Sequence, residues 1–464
     1  MSSIAHQRHD PMNPDAPRQS TATIRLSLSA FLVALPAIIF YAVLFRKALN
    51  LPSFDDYGLL QFLNKITELP SASEKASYFL ASQHNEYKLF FARAIGWLQL
   101  DLSGHVNFKV LCVIGNSFIA LLAILLWKIF LPAQKEIGIR LALFIPVSWM
   151  LFQLQYWGAV NSAFAGLQNL PVLVFSFTAI YLLVEGTRDK FCGALLFLIL
   201  AIAASGNGFL LIPIGLLILA VARSYARIFI WLAASAVCIA AYAYHYDAMS
   251  SQADPHRSVF ANLLRINPVY ILAFIGCAGT PSTAISVILG CLICGFFIFL
   301  VLRGYTRKNP LVSYCVLFLL LTAIGVAGIR SQLGIMQSLQ SRYTIYSVLL
   351  LIFAWFAIVE EFPQIQSRDL SQNGLLLGTV LLVVVFSLFM DEIGSLILEG
   401  RAHETVQAMA VFEHSSLSDS TVGPMPTPPL SQRPPDWDAL NHDAGEILLK
   451  SIKLGIYQPP AHPQ

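Results

Sequence analysis

The sequence predicts an all-α polytopic membrane protein with about eleven transmembrane helices and a large extracytoplasmic loop after the first. Three observations carry that prediction. Of 464 residues, 56% are hydrophobic and only 12% charged, where a soluble domain has roughly 25% charged residues. The mean hydropathy is +0.67. The apolar residues also gather into runs long enough to cross a bilayer, which takes about 20 residues for about 30 Å of hydrocarbon.

Residues 1–23 are polar and proline-containing, and a disordered N-terminus is expected there. The apolar run at 24–46 is too long for a cleaved signal sequence and lacks a small-residue cleavage site, so it reads as a retained first span. Further spans are predicted at 108–130, 139–156, 163–184, 228–246, 284–302, 311–329, 343–360 and 374–397. The segment 191–222 differs. As one helix it would be about 48 Å long, and Ser205-Gly206-Asn207-Gly208 interrupts it midway. Two short helices meeting at that break bring the total to eleven.

Lysine and arginine in short loops orient the chain. With a cytoplasmic N-terminus carrying Arg8, Arg18 and Arg25, the inward loops are KIFLPAQKEIGIR (128–140), EGTRDK (185–190), the Arg223–Arg227 turn, RGYTRK (303–308) and the stretch around Arg368. That distribution holds only if 191–222 goes out and back. The other face then receives the loop 47–107, the loop HYDAMSSQADPHRSVFANLLRIN, the loop GIRSQLGIMQSLQSRY (328–343) and the C-terminal tail, 398–464. The tail is Pro-rich (VGPMPTPPLSQRPP), then helical in pattern, and too small for an independent catalytic domain. Within the first loop, SQHNEYKLFFARAIGWLQL reads as one amphipathic surface helix. His84 and Lys88 would share one side, Glu86 and Arg93 another.

The net charge of +3 gives no footing for nucleic acid, since the basic residues are scattered at span ends. All seven cysteines lie in or beside apolar segments. Cys291 and Cys294 form a C-x-x-C inside an apolar helix with no second pair and no histidine nearby, a pattern unsuited to zinc or redox work.

The first loop opens with SFDDYGLL, which places Asp55 and Asp56 where the chain has just left a span. Two readings stand. One carboxylate could act as a general base where lipid and water meet. Alternatively, Ser53 and the aspartates cap a helix running through YGLLQFLNKI. Consecutive side chains diverge, so at most one of the two does the central job. His84, Asn85, Glu86 and Lys88 supply donors, acceptors and both charge signs within QHNEYK. They read either as site residues or as a wetted face with a Glu86–Arg93 pair. His84 and Glu86 also raise a divalent metal as an open alternative, its third ligand coming from Asp55 or Asp56. Arg330 and Arg342 bracket the 328–343 loop, where guanidinium forks suit phosphate oxygens or snorkel to headgroups. Tyr57, Gln155, Trp157 and Tyr343 are further candidates for lining a sugar or acceptor groove, as are Asn161 and Gln168. Interfacial belt and interhelical hydrogen bonding are the alternative for such residues.

SFDDY, QHNEYKLFFARAI, the glycine-broken SGNGFLLIPIGLLIL and SRYTIYSVLL, in this topology, resemble the GT-C class of integral-membrane glycosyltransferases. The likeness is greatest to bacterial members that decorate cell-surface glycans such as lipopolysaccharide, and it covers about 24–400. It implies transfer of a sugar from a polyprenyl-phosphate donor to a glycan or lipid-linked acceptor at the extracytoplasmic face of the inner membrane, with inversion. By that resemblance Asp55 or Asp56 is the base, with His84 and Glu86 beside it. Lys88, Arg330 and Arg342 hold the donor phosphate, and Asn85, Tyr57, Gln155, Trp157 and Tyr343 contact sugar or acceptor. Some members of the class use a divalent metal, and this sequence lacks a clear second acidic motif for one. No dinucleotide fingerprint appears, and no soluble portion is large enough for a nucleotide-sugar domain. A transporter or flippase is the rival reading, because a broken helix can build a midplane site. The predicted spans, however, offer almost no ionisable residues for coupling. A non-catalytic assembly partner is the third, and it expects the candidate residues to be scattered.

Overall fold

The computed structural model of the protein describes residues 16–53, 55–130, 136–247, 266–278, 282–362, 374–418 and 437–460. Of the stretch 1–23 expected to be disordered, residues 1–15 lie outside the described residues, while 16–23 are helical and begin the first helix. Residues 248–265 of the second outer loop, the inward Arg368 and most of the Pro-rich tail segment also lie outside the described residues. Among the described residues the chain is all helical, with no strand beyond two isolated bridges. Nine helices among the described residues are long and apolar enough to cross a membrane, consistent with a polytopic, multi-pass protein.

In chain order, α1 (Ala16–Lys47) leads into three helices of the first loop, α2 (Asp56–Glu68), α3 (Ala72–Ala81) and α4 (Phe90–Ser103). Then come α5 (Phe108–Ile129), α6 (Ile137–Leu151), the short α7 (Trp157–Asn161) and α8 (Ala163–Glu185). Next, α9 (Arg188–Ala204) meets α10 (Leu211–Val221) across a 3-10 turn, Gly206–Leu210. The chain break expected at Ser205-Gly206 is therefore present. It has a local cause: Ser205 is fully extended (φ −162°, ψ 155°), which no helix tolerates. The remainder is α11 (Tyr225–Ala243), α12 (Pro268–Ile275), α13 (Thr283–Leu302), α14 (Tyr305–Lys308), α15 (Pro310–Arg330), α16 (Ser341–Glu361), α17 (Gly374–Ser418) and α18 (Trp437–Lys453).

Two spans are central. In α8 and α16, 72% and 78% of the apolar window is buried, against 11% in α11 and 17% in α17, which therefore face outward. Because lipid is as apolar as leucine, helices here are joined by close packing and hydrogen bonds rather than by hydrophobic burial. Helices α5 and α8 touch backbone to backbone: a Cβ on Gly115 would lie 3.1 Å from the carbonyl carbon of Gly166. Side-chain donors find backbone acceptors on neighbouring helices, as in Trp149 Nε1 to Leu32 O (3.0 Å), Trp355 Nε1 to Leu143 O (2.9 Å) and Tyr41 Oη to Asn116 O (2.9 Å).

Helix α17 corrects the sequence reading twice. It runs unbroken for 45 residues, about 68 Å at 1.5 Å per residue, so it continues well past the predicted span end at 397. It also carries Asp391 inside a span read as almost free of ionisable groups. Asp391 Oδ1 accepts from Leu154 N at 2.7 Å, satisfying the first N–H of the 3-10 turn Leu154–Tyr156. That bond gives the acid a structural duty.

The C-terminal helix α18 packs on α2. Asn64 Nδ2 donates to Ile447 O (3.1 Å), Ser451 Oγ to Asn64 Oδ1 (2.9 Å) and Tyr457 Oη to Asn50 O (2.7 Å). The tail is thus part of the same structural unit as the first loop.

Candidate functional site

The chain turns out of α1 and starts α2 through Ser53. Asp56 N donates to Ser53 O, and Ser53 N donates back to Asp56 Oδ2, each at 3.0 Å. This reciprocal pair satisfies two backbone N–H groups where α2 starts, although Asp55, at the N-cap itself, makes no side-chain cap bond. Asp56 does more. Its Oδ1 accepts from Ser162 Oγ (3.1 Å) and Phe164 N (2.8 Å) at the start of α8. Asp56 is completely buried and fastens the first loop to the central helix. Burial raises its carboxyl to about 6, although the Phe164, Ser53 and Ser162 donors act against that shift and the Asp55 charge adds to it. As a candidate base, Asp56 is corrected to a structural carboxylate.

Asp55, one residue earlier, points the other way, into a cavity of about 80 Å³. That space exceeds the ~10–15 Å³ one water requires several-fold. Asp55 Oδ1 lies 3.4 Å from His84 Nε2, and Oδ2 accepts from Arg342 Nη1 at 3.2 Å. Burial alone would raise this carboxyl, but the His84 bond and the charges of Arg342, His84 and Arg330 outweigh it and hold it at about 2. His84 is placed by contacts on two sides. Its ring stands edge-on to Phe164 (5.3 Å between centroids), and a Cβ on Gly58 would come within 2.5 Å of Nδ1. Only glycine at 58 leaves room for that ring.

The helix expected over SQHNEYKLFFARAIGWLQL begins only at Phe90. Residues 82–89 form a tight hook instead, with His84 N to Tyr87 O (2.8 Å) and Tyr87 N to His84 O (2.9 Å). Asn85 sits at its tip with φ +49°, a left-handed conformation asparagine tolerates better than most residues. The hook separates residues that a helix would have aligned. His84, Asn85 and Tyr87 line the cavity. Glu86 turns behind it and pairs with Arg330 through Nε (3.1 Å) and Nη2, instead of with Arg93. Both members are nearly enclosed, with side chains 5% and 8% exposed.

Lys88 is corrected most sharply. It is fully buried and does not line the cavity. Its Nζ donates to Leu80 O (2.7 Å) and to Tyr244 O, carbonyls at the C-terminal ends of α3 and α11. Arg93, also buried, donates to Ser82 O (2.6 Å) and Oγ (2.8 Å) at the end of α3. Helix C-termini carry partial negative charge, and these carbonyls are what the two cations address. Burial lowers both, Arg93 to about 10.

The last charged member comes from the other end of the sequence. Arg342 and Tyr343 open α16, whose first residue, Ser341, accepts from Gly158 N at 3.0 Å. The Arg342 guanidinium stands over the Tyr343 ring at 5.5 Å, and its Nε is buried with no hydrogen-bond partner. Three of the remaining candidates lie elsewhere. Tyr57, Gln155 and Trp157 do not line the cavity. Trp157 packs under Arg401 (5.1 Å), and the amide nitrogen of Gln155 is buried outside it.

The structure adds residues that the sequence reading had not assigned to a site. Asn169, Ser205, Asn207 and Tyr346 line the cavity, along with Gln168. Asn207 Nδ2 donates to Tyr346 Oη (3.1 Å), which reaches Asn169 Oδ1 (3.4 Å), and Gln168 Nε2 donates to Ser205 Oγ (3.3 Å). A polar residue at the tip of an interrupted apolar segment was the available signal for Asn207.

For a divalent metal the donors do not fit. His84 and Asp55 face each other, but Glu86 is committed to Arg330 and Asp56 to the start of α8. Among the described residues, no group of three His, Cys, Asp or Glu side chains comes together. What remains is one ionised carboxylate, one imidazole and two guanidinium groups around a small polar cavity at one end of the helix bundle. No protein-family model and no curated protein matches the chain.

Proposed function

We propose that the protein is a GT-C-type glycosyltransferase that moves a sugar from a polyprenyl-phosphate donor to a glycan or lipid-linked acceptor. The observation that carries this reading is the meeting of Asp55 with Arg342 at 3.2 Å, beside Arg330 and His84, in one cavity. These groups come from segments almost 290 positions apart in sequence. Scatter would have favoured an assembly partner, and a transporter does not require an acid and two arginines around a terminal cavity.

The chemistry follows from the charges. An acceptor hydroxyl attacks the anomeric carbon, Asp55 receives its proton, the new C–O bond forms and the bond to the phosphate oxygen breaks. The polyprenyl phosphate leaves with the electron pair, and Arg342 and Arg330 stabilise the charge that develops on it. A single displacement inverts the anomeric centre. A carboxylate near 2 is a weak base, so the Asp55–Arg342 pair has a consequence. Donor phosphate engaging Arg342 withdraws the charge that holds Asp55 down, and its basicity rises once donor is bound.

In this reading the cavity faces the extracytoplasmic side of a bacterial inner membrane, with the N-terminus cytoplasmic and the C-terminus outside. Helices α9 and α10 form a hairpin that makes the membrane helices eleven. Its tip, Ser205 and Asn207, lies at the cavity, as an out-and-back path requires. At the other end, basic loops contact one another, as in Arg227 Nη1 to Gly186 O (2.6 Å).

The test is glycan transfer in membranes carrying Asp55→Asn or Arg342→Ala. Loss of transfer in Asp55→Asn and weakened donor use in Arg342→Ala are expected. Undiminished transfer by Asp55→Asn rejects the mechanism.

A further inference from the structure

The charged and the neutral polar groups of the cavity come from different segments of the chain. Asp55, His84, Arg330 and Arg342 lie on segments 55–84 and 330–342, whereas Gln168, Asn169, Ser205, Asn207 and Tyr346 supply only neutral amides and hydroxyls. Hydrogen bonds fix how this second wall presents itself. Asn207 spends its amide nitrogen on Tyr346 Oη, and Tyr346 in turn reaches Asn169 Oδ1. Asn169 Nδ2 is spent on Ala165 O (2.9 Å). The Asn207 amide is thereby oriented with Oδ1 as its unused atom, and that oxygen is buried with no partner. A buried acceptor without a donor costs free energy, which a ligand hydroxyl or amide N–H would recover.

Resting on the transferase reading for its place in a reaction, the geometry points to this amide wall as a sugar subsite that selects a neutral, hydroxyl-rich sugar and rejects a uronic acid. A ligand whose anionic end engages Arg342 shares the cavity with Asn207. A hydroxyl there donates to Oδ1. A carboxylate there meets the lone pairs of Oδ1 and finds no donor on it, and a buried unpaired charge is costly. Sites built to bond a hydroxyl discriminate strongly against ligands lacking it, because the protein group is left unpaired.

Binding and transfer test this separately. The purified full-length protein is titrated with inorganic phosphate, with glucose, galactose, mannose and N-acetylglucosamine 1-phosphates, and with glucuronic acid 1-phosphate, reading thermal stabilisation. At least one neutral sugar phosphate should bind at least ~10-fold more tightly than phosphate or the uronate, and Asn207→Leu should erase that preference while phosphate binding remains. Equal affinity for the uronate and the neutral sugars, no gain over phosphate alone, or no binding at all overturns the subsite. So does an Asn207→Leu protein that keeps the preference. If Asn207→Leu does not fold, the wild-type comparison alone decides. Transfer is read independently with the matching lipid-linked donors. Sugar-selective binding without transfer removes the transferase reading and leaves the subsite standing.

Discussion

Arg330 and Arg342 look equivalent in the sequence, yet the structure predicts opposite consequences for losing them. The Arg330–Glu86 pair is nearly enclosed, with side chains 8% and 5% exposed; both arginine bonds go to Glu86 Oε1, and Oε2 has no hydrogen-bond partner. Removing the arginine leaves a buried carboxylate uncompensated, a change that typically costs about 3–5 kcal/mol. The Arg342–Asp55 pair is 24% and 31% exposed, and Asp55 keeps His84 when Arg342 is gone. Partly solvated pairs of this kind contribute about 0–1 kcal/mol. Arg330→Met is therefore expected to lower stability by several kcal/mol and Arg342→Met by about 1 kcal/mol or less. The assay is SDS-induced unfolding of the purified protein in mixed micelles, followed by tryptophan fluorescence, alongside transfer activity in membranes. Arg342→Met should be folded, with weakened donor use. Adding Glu86→Gln to Arg330→Met should restore most of the lost stability, since neither charge then remains buried. Equal losses from the two single substitutions, or no recovery in the double variant, would refute the argument.

Other expectations follow from the same geometry. Gly58→Ala places a methyl 2.5 Å from His84 Nδ1. The ring must turn away from Asp55 or strain the hook, costing about 1–3 kcal/mol by the overpacking rule, and transfer should fall while Gly58→Ser falls at least as far. Asp55 is held at about 2 against an ordinary 3.8. Its folded value is depressed, so its ionised form contributes stability above about pH 4 that is lost as pH falls toward 2. The acid limb of kcat/KM, which reports the free enzyme, should thus lie below pH 4 and move upward in Arg342→Gln. An unmoved limb would separate Asp55 from the titration. Lys88→Met should destabilise by roughly 1–2 kcal/mol through the lost helix-end bonds without changing the dependence on donor concentration. A raised donor KM would return Lys88 to the phosphate site.

The hydrophobic runs were legible because crossing hydrocarbon imposes a length and an apolarity that any single segment must show by itself. The broken helix at Ser205-Gly206 was legible for the same reason, since an uninterrupted segment of that length exceeds the bilayer. The acid and the two arginines were visible as residue types in unusual places. What they do was not. Whether Asp55 or Asp56 faces the cavity depends on Ser162 and Phe164, more than a hundred positions away. Whether Glu86 and Lys88 join His84 depends on a hook that overrides the helical pattern, because Arg330, Leu80 and Tyr244 offer those charges better partners than a water-facing helix would. Composition and periodicity are local quantities and so determined the spans. A site is a set of distances between segments remote in sequence, and only the packing of α8, α16 and the first loop against one another decided those.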